Sequence, residues 1–330
     1  FLVVICVGLA YAPVRHGGFL WDDDSHITAN PSIVGPQGLK EIWTSAAANY
    51  FPLTTTSFWV QHALWGLNPM PYHVVNVVMH AFCALVLCAV LRELRVPGAE
   101  LGALIWALHP VQVESVAWIC ELKNVQACLF YLLALWLFTR WLRGGRMTVG
   151  RDYILAFVCA GLAILSKAST VMLPVVLGLA WWWQGGWRWR NALWLAPFFA
   201  ISAAASGWTI WEQKVHSMAS GSEWNQTLPE RIVLAGRVSW FYLGKLAWPQ
   251  PLVFIYPRWS LDASNLTAWL PAVATAAGLA ILSAFRAGRA RGGFLAAAYF
   301  IVSLFPVLGF FNVFFFRYSF VADHFQHLAS

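Results

Sequence analysis

Three consecutive carboxylates, Asp22, Asp23 and Asp24, are the stretch of this sequence best suited to chemistry. Adjacent like charges repel one another, and each would cost several kcal/mol in the core of a bilayer. We therefore expect the run in water, where carboxylates serve as a general base, a metal ligand or a salt-bridge partner. In an extended loop Asp22 and Asp24 would share a face and Asp23 would point elsewhere; alternatively Asp23 or Asp24 caps a helix N-terminus.

The composition points to a membrane protein. Of 330 residues, 60% are hydrophobic, 16% aromatic and 11% charged, which is too apolar for a soluble domain of this length. Many of the 21 Trp are expected in interfacial belts. The six Cys have no metal-like spacing, so we expect neither a disulfide framework nor a zinc site. The net charge of +7 is better explained by membrane topology than by nucleic-acid binding.

The predicted fold is an all-α polytopic membrane protein whose apolar stretches form one helix bundle. About nine spans are predicted: 1–13, 73–91, 100–117, 125–142, 152–166, 169–183, 191–211, 266–285 and 293–311. Because the chain begins with Phe1, the first is expected to be a clipped transmembrane helix rather than a signal peptide. No repeat or separate soluble domain is visible, so 1–330 is predicted to be a single membrane domain.

Basic loops set the expected orientation. The Arg residues concentrate in four short connections: Arg92 and Arg95; Arg140, Arg143, Arg146 and Arg151; Arg188 and Arg190; Arg286, Arg289 and Arg291. The positive-inside rule places these connections in the cytoplasm. That side then carries 11 basic and 3 acidic residues, and the opposite side carries 10 basic and 11 acidic residues. The acidic run is therefore expected on the external side.

Two long external segments follow from this orientation. The first loop, 14–72, contains the acidic run and is expected to form surface helices near 39–43 and 52–67. Residues 212–265 should also lie outside, with an interfacial helix at 231–247. Three cations of this helix fall on one side and are expected to face lipid phosphates: Arg231, Arg237 and Lys245. A pair of missed spans, or a re-entrant hairpin, is the alternative for this segment.

Short blocks spread in one order over nearly the whole chain resemble the bacterial relatives of the transmembrane, tetratricopeptide-repeat-bearing O-mannosyltransferases. The blocks are Phe19-Leu20-Trp21-Asp22-Asp23 with Asn30-Pro31, Phe51-Pro52-Leu53-Thr54, Tyr72-His73-Val74-Val75-Asn76 with His80, Ala107 to Trp118, Glu121, Lys123-Asn124, Leu165-Ser166-Lys167-Ala168 with Leu173-Pro174, Tyr256-Pro257, Arg317-Tyr318-Ser319 and Ala322-Asp323-His324. The set is specific as a whole, although each block alone is a weak signal.

The resemblance implies a GT-C-like glycosyltransferase that uses a polyprenyl-phosphate sugar, with mannose as the candidate sugar, and glycosylates a protein or glycan hydroxyl. It assigns catalysis to Asp22 and Asp23, with one Asp as general base, and leaves the role of Asp24 open. It also implies that Asn30 and Tyr256 contact substrate. A repeat domain is expected after the membrane part, so the C-terminus is expected to be truncated.

Cations beside the predicted spans are candidates for the donor phosphate. Lys123, Lys167 and Arg317 are each predicted just outside a span, where they or a metal ion would stabilise a departing phosphate. Snorkelling interfacial cations without any function are the alternative. The family position between Glu121 and Lys123 is often Arg and is Leu122 here, which puts this subsite in question.

The remaining candidate site residues are histidines and one glutamate near them in the sequence. His109 and Glu114 are able to orient a catalytic Asp or to bind sugar hydroxyls, although the proline after His109 also marks an ordinary helix end. His324 and His327 share a helical face with Asp323 nearby, the spacing of a metal-binding pair. No convincing third ligand accompanies them, so the requirement for a divalent cation stays open.

The resemblance further implies a bacterial inner membrane with the active site in the periplasm, although an endoplasmic reticulum membrane would give the same topology. A transporter or lipid-carrier flippase is the leading alternative. It should place ionisable residues near mid-membrane and often has repeat symmetry, neither of which this sequence indicates. A non-catalytic membrane anchor would not need the acidic loop at all.

Overall fold

The computed structural model describes residues 2–44, 51–145, 147–216, 219, 221–288 and 290–330. Phe1, residues 45–50 of the first loop, Arg146 and Arg289 enter the predictions above and lie outside the described residues. Within the described part the regular structure is helical and contains no strand, as predicted for an all-α protein.

The α-helices are α1 (Leu2–Ala10), α2 (Pro31–Val34), α3 (Gly38–Thr44), α4 (Pro52–Trp65), α5 (Pro69–Glu93), α6 (Ala99–Leu108), α7 (Val113–Ala117), α8 (Leu122–Arg143), α9 (Arg151–Ser166), α10 (Leu173–Trp183), α11 (Ala196–Val215), α12 (Leu228–Ala247), α13 (Leu270–Ala284) and α14 (Arg291–Leu304). Shorter helical turns connect several of them. Those that bear on the site are Asp24–Thr28, Ile119–Glu121, Ala168–Met172, Phe314–Arg317 and Asp323–Gln326.

Four helical segments of the described chain are long and apolar enough to cross a bilayer. They are Pro69–Glu93, Ile119–Arg143, Trp189–Val215 and Leu266–Ala284. Each coincides with a predicted span, because about 20 apolar helical residues match the thickness of the hydrocarbon core. Shorter apolar helices account for three more predicted stretches: Ala99–Leu108, Ala168–Trp183 and Arg291–Val307.

The predicted span 100–117 is wrong as a single helix. α6 ends at Leu108, and His109 has extended backbone with φ −65° and ψ 132°. Pro110 follows, and proline both lacks an N–H and disfavours a helical conformation for the residue before it. The chain therefore turns at His109 and becomes helical again in α7.

α8 is the central helix of the bundle. One side buries Tyr131, Leu135 and Phe138 in a core shared with α5, α9, α10 and α11. Leu122 at its N-terminal end, together with Ile119 in the turn before it, packs against buried side chains of the first loop. α8 thus carries the first loop at one end, and its 22 residues extend about 33 Å to the other.

The basic connections meet at the far end of α8. Arg143 pairs with Glu93 of α5, and Arg140 lies 3.4 Å from Asp152 of α9. Arg291 donates to the backbone carbonyl of Trp183, which joins the α13–α14 connection to the end of α10. The acidic run and the clustered arginines therefore lie at opposite ends of the bundle.

The first loop is helical, as predicted. α3 and α4 coincide with the expected surface helices at 39–43 and 52–67. α4 also packs inward, because Phe58 is buried and the Thr54 hydroxyl donates to the backbone carbonyl of Ser166 at 3.0 Å. This contact brings the first loop to the α9–α10 turn that carries Lys167.

α12 corresponds to the predicted interfacial helix 231–247 and begins three residues earlier, at a capping box of Thr227 and Glu230. Arg231 donates to the carbonyl of Gly309 at 2.7 Å, and Lys245 donates to the carbonyl of Pro251. Two of the three cations expected to face lipid phosphates therefore bond within the protein, and that expectation is wrong for them. The depth of α12 in the bilayer stays a prediction.

Candidate active site

The three aspartates lie in a helical turn rather than an extended loop. The turn Asp24–Thr28 begins directly after Asp23, and successive side chains therefore point in different directions. Asp23 is fully buried, Asp24 is exposed, and Asp22 lines a cavity. The expectation that Asp22 and Asp24 share a face is wrong for this reason.

Asp23 is anchored in the protein by two backbone amides. Its Oδ2 accepts from the N–H of Leu20 at 2.9 Å, and its Oδ1 accepts from the N–H of Cys120 at 2.7 Å. Asp24 accepts from the Thr28 hydroxyl at 2.7 Å on the surface. Of the three carboxylates, Asp22 is the one that faces space large enough for a ligand.

That space, the polar cavity, has a volume of about 840 Å³. It lies where the first loop, the start of α8, the α9–α10 turn, the end of α11 and the segment after α14 meet. Ionisable side chains contribute much of its wall: Asp22, His26, Glu121, Lys123, Lys167, Glu212, His216, Glu223, Arg317 and His324. The cavity thus brings together four of the predicted site residues: Asp22, Lys123, Lys167 and Arg317.

Glu121 joins the two lysines. Its Oε1 lies 2.9 Å from the Lys123 ammonium and its Oε2 lies 3.5 Å from the Lys167 ammonium. Lys167 also donates to the Asn124 side chain at 2.6 Å. Glu121 is 1% exposed and both lysines are nearly buried, so the two cations are fixed in place. Lys123 also lies over the rings of Phe51 and Trp118.

Burial changes the acid–base behaviour of this region. It raises the pKa of Asp22, and the Lys123 ammonium partly offsets that rise. It raises the pKa of Asp23 to about 6, although the two backbone N–H donors favour the ionised form. Burial lowers the pKa of Lys167, against the attraction of Glu121. A carboxyl shifted toward neutrality, as Asp22 is, suits proton abstraction better than an exposed one.

Arg317 marks the rim of the polar cavity. Its side chain is about half exposed and lies 3.6 Å from Glu223. An exposed pair of this kind contributes roughly 0–1 kcal/mol. Arg317 is therefore free to change partners when an anion reaches the cavity.

Aromatic rings form the wall beside Asp22. Trp21 has a left-handed backbone conformation with φ 46°, and its ring stacks on Trp118 at 5.7 Å. Phe315 and Tyr318 meet the Trp21 ring edge-on. A bulky residue with positive φ is strained, and such strain is concentrated at functional sites. The strain here accompanies an aromatic surface next to the candidate base.

A second space, the apolar groove, adjoins the polar cavity. Its volume is about 210 Å³, and α11, the Ala168–Met172 turn and the segment after α14 form its mostly apolar walls. The two spaces share five lining residues: Lys167, Gln213, Val313, His324 and Phe325. A ligand with a charge between an apolar and a polar part fits this arrangement.

Several predicted residues lie away from the polar cavity. Asn30 caps α2 by accepting from the Ser32 N–H, and Asp24 faces the surface. His109 bonds to the carbonyl of Leu246, and Tyr256 donates to the Asp323 carboxylate. None of these four residues lines the polar cavity, and their predicted contact with substrate stays a prediction.

Glu121 and His324 line the polar cavity, although the sequence gave neither of them a catalytic or substrate-binding role. Glu121 entered only as part of the resemblance, and His324 was considered only as half of a metal pair. The predicted Glu114 does not line the cavity but holds His324 through two hydrogen bonds. His327 bonds to Gln112 instead of sharing a ligand with His324. Among the described residues, no group of three or more His, Cys, Asp or Glu is arranged to hold a metal ion.

The fold and the cavity define a class: an all-helical membrane protein with a charged cavity at one end of its bundle. In sequence the chain is related to protein O-mannosyl-transferases, which confirms the predicted resemblance. It is 30% identical over 191 residues to human protein O-mannosyl-transferase TMTC2, covering 53% of this chain and 23% of the relative. It is 28% identical over 194 residues to Tmtc1 of Drosophila melanogaster (53% and 22%) and 31% identical over 186 residues to mouse TMTC1 (52% and 18%).

The chain spans less than a quarter of the length of these relatives. No family model matches it, and no solved structure does. A bacterial origin stays a prediction.

Proposed function

We propose that this chain is the catalytic membrane part of a glycosyltransferase. It transfers a sugar, mannose in the first instance, from a polyprenyl-phosphate donor to a hydroxyl of a protein or glycan acceptor. The relatives' names, which describe protein O-mannosyl-transferases, support the reaction class. We further propose a GT-C-like bundle of about nine spans in a bacterial inner membrane, with the polar cavity facing the periplasm.

One observation carries the donor assignment: the polar cavity and the apolar groove meet at Lys167 and His324. A polyprenyl-phosphate sugar has an apolar chain, a phosphate and a polar ring in that order. With the chain in the groove and the sugar in the cavity, the phosphate lies next to the buried Lys167. A largely buried ammonium held by Glu121 stabilises an anion more strongly than a mobile surface lysine.

The proposed step uses Asp22 as the base. Its carboxylate takes the proton of the acceptor hydroxyl while the hydroxyl oxygen forms a bond to the anomeric carbon. The bond from that carbon to the phosphate oxygen breaks, and its electron pair leaves with the polyprenyl phosphate. Lys123 and Lys167 offset the negative charge that develops, and Arg317 at the rim is placed to contact the anion as it leaves.

Transfer of radiolabelled sugar by the purified full-length protein tests this proposal. Synthetic polyprenyl-phosphate mannose is the first donor, and the glucosyl and arabinosyl donors follow, each with and without a chelator. Asp22→Asn should reduce transfer by about 10²–10⁴-fold, the usual contribution of a general base. Asp24→Asn is the matched control and should retain wild-type transfer, because its side chain lies on the surface.

Unchanged transfer by folded Asp22→Asn would refute the assignment of the base. A wild-type protein that binds the lipid donors and transfers no sugar would overturn the enzyme itself and favour a transporter. The chelator arm decides whether a divalent ion takes part.

A further inference from the structure

Glu114 and His324 form a buried carboxylate–imidazole pair across 210 residues of chain. One oxygen of Glu114 accepts the backbone N–H of His324 at 2.8 Å, and the other accepts the ring Nδ1–H at 2.9 Å. The two side chains are 10% and 6% exposed. Because Nδ1 donates to a carboxylate, Nε2 is the ring nitrogen left for a ligand.

The ring is fixed from several directions. The Asn124 side chain donates to the backbone carbonyl of His324 at 3.0 Å. The rings of Phe325 and Phe315 meet the imidazole edge-on at 4.6 and 5.6 Å. An imidazole held by a carboxylate and by packed rings is pre-organised, as a group that transfers a proton must be.

His324 lies at the boundary between the two spaces. It lines both the polar cavity, with Asp22, and the apolar groove, with Lys167. In the proposed function, the phosphate of the donor lies at this boundary. Lys167 supplies charge there, and two of its three ammonium protons point to Glu121 and Asn124. His324 differs from it in having a ring nitrogen that Glu114 does not occupy.

We propose that His324 is a catalytic residue that protonates the leaving phosphate, with Glu114 as its positioning residue. The inference rests on the proposed function. The imidazolium Nε2–H donates to the oxygen that links the anomeric carbon to phosphorus. As that carbon–oxygen bond breaks, its electron pair stays on the oxygen, and the proton passes from Nε2 to it. The products are the glycosylated acceptor, the hydrogen phosphate of the polyprenol and a neutral imidazole.

The proton balance closes over one turnover. Asp22 has taken one proton from the acceptor hydroxyl, and His324 has given one to the phosphate. Both groups face the polar cavity, so the proton on Asp22 returns to the imidazole through the cavity before the next turnover. Glu114 accepts from the ring Nδ1–H, which leaves Nε2 as the site of exchange.

A merely structural pair is the competing explanation, since Glu114 also fastens the Asp323–Gln326 turn to α7. Chemical rescue separates the two. Replacing His324 with Ala opens a space of imidazole size beside the phosphate position. Added imidazole is able to restore a missing proton donor there but not a missing structural contact.

The experiment measures transfer from polyprenyl-phosphate mannose by the full-length protein with and without added imidazole. His324→Ala should lower kcat by about 10²-fold or more and should change the donor KM much less. Imidazole should raise the kcat of this variant about tenfold, which still leaves it below the wild-type value. His62→Ala, in α4 and outside the cavity, is the control and should show wild-type kcat at every imidazole concentration. Asp22→Asn should gain nothing from imidazole, because it lacks the base.

His324→Gln keeps the design falsifiable if the alanine variant does not fold. The glutamine amide is able to donate to Glu114 but cannot protonate a phosphate. The kcat of His324→Gln should therefore fall as far as that of His324→Ala, while its unfolding temperature stays near that of the wild type. Near-wild-type kcat in either variant, or a folded His324→Ala whose loss imidazole does not reduce, would overturn the proposal. A wild-type protein that transfers no sugar would instead overturn the proposed function, which distinguishes the two failures.

Discussion

The Oδ1 atom of Asp23 accepts a hydrogen bond from the backbone N–H of Cys120 at 2.7 Å, although 97 residues separate the two in the chain. With the second bond, from the Leu20 N–H to Oδ2, it fastens the first loop to the turn before α8. Asp22 precedes this anchor, and Glu121 and Lys123 follow Cys120. The Asp23 carboxylate therefore aligns the candidate base with the buried cations.

This anchor predicts that Asp23 acts mainly through stability. In Asp23→Asn one of the two N–H donors loses its acceptor, and an unsatisfied buried donor costs about 1–3 kcal/mol. The unfolding temperature of the detergent-solubilised protein should fall, and transfer should fall in the fraction that remains folded. Asp24→Asn replaces the adjacent exposed carboxylate and should unfold like the wild type. Equal unfolding temperatures for all three proteins would contradict the anchor.

The pH dependence of transfer should report Asp22. A base accepts a proton only when ionised, so transfer should rise with pH through the raised pKa of Asp22. Lys123 favours the ionised form of Asp22, so Lys123→Met should raise the pKa of Asp22 further. The rising, acid limb of the pH–activity profile should then move to higher pH. Lys40→Met, in the surface helix α3, is the matched control. A limb that stays in place in Lys123→Met, or that moves to lower pH, would argue against Asp22 as the titrating group.

The charge balance around Glu121 predicts a non-additive pair of substitutions. Glu121→Gln leaves two buried ammoniums without their shared carboxylate, and breaking a buried ion pair in this way costs about 3–5 kcal/mol. Glu121→Gln with Lys167→Met removes one charge of each sign and leaves Lys123 to balance Asp22. The double variant should therefore unfold at a higher temperature than Glu121→Gln alone. If the losses of unfolding free energy in Glu121→Gln and Lys167→Met add up to the loss in the double variant, the three charges do not act as one unit.

The sequence was sufficient to predict the fold where local patterns decide the structure. Apolar length predicted the four long helices, and proline positions predicted α3 and α4. The basic loops also predicted that Asp22, Lys123, Lys167 and Arg317 lie on one side of the bundle, and the structure places them around one cavity. Their roles stay predictions.

The sequence was insufficient to predict the site where a contact joins distant parts of the chain. Asn30 and Asp22 lie in the same block, yet only the folded protein distinguishes a helix cap from a cavity residue. The pair of Glu114 and His324 has no local signal, since 210 residues separate its members. For His324 the local spacing offered only a metal pair without a convincing third ligand, whereas the contact with Glu114 is visible only in the folded protein.

The aromatic wall predicts a loss of activity when the ring of Trp21 is removed. Trp21 is strained at φ 46°, and the indole ring offers an apolar face to a sugar in the cavity. Trp21→Ala removes the ring, which should lower kcat/KM about tenfold, the size of one aromatic stacking contact. Trp21→Phe should retain most of the activity, because it keeps a ring at the same position. A Trp21→Ala protein with wild-type kcat/KM would exclude the sugar from this wall.

The apolar groove predicts dependence on the length of the donor's chain. Ile210 of α11 lines the groove, and Ile210→Trp places a larger side chain in a space of about 210 Å³. The donor KM should rise about tenfold for a donor with several isoprene units, since roughly 1.4 kcal/mol of apolar contact is lost. A donor with a single isoprene unit should be unaffected, because its phosphate and sugar occupy the polar cavity. Ile154→Trp puts the same side chain on an exposed face of α9 and serves as the control. If Ile210→Trp and Ile154→Trp use the long donor equally well, the polyprenyl chain does not lie in this groove, and the phosphate assignment to Lys167 loses its support.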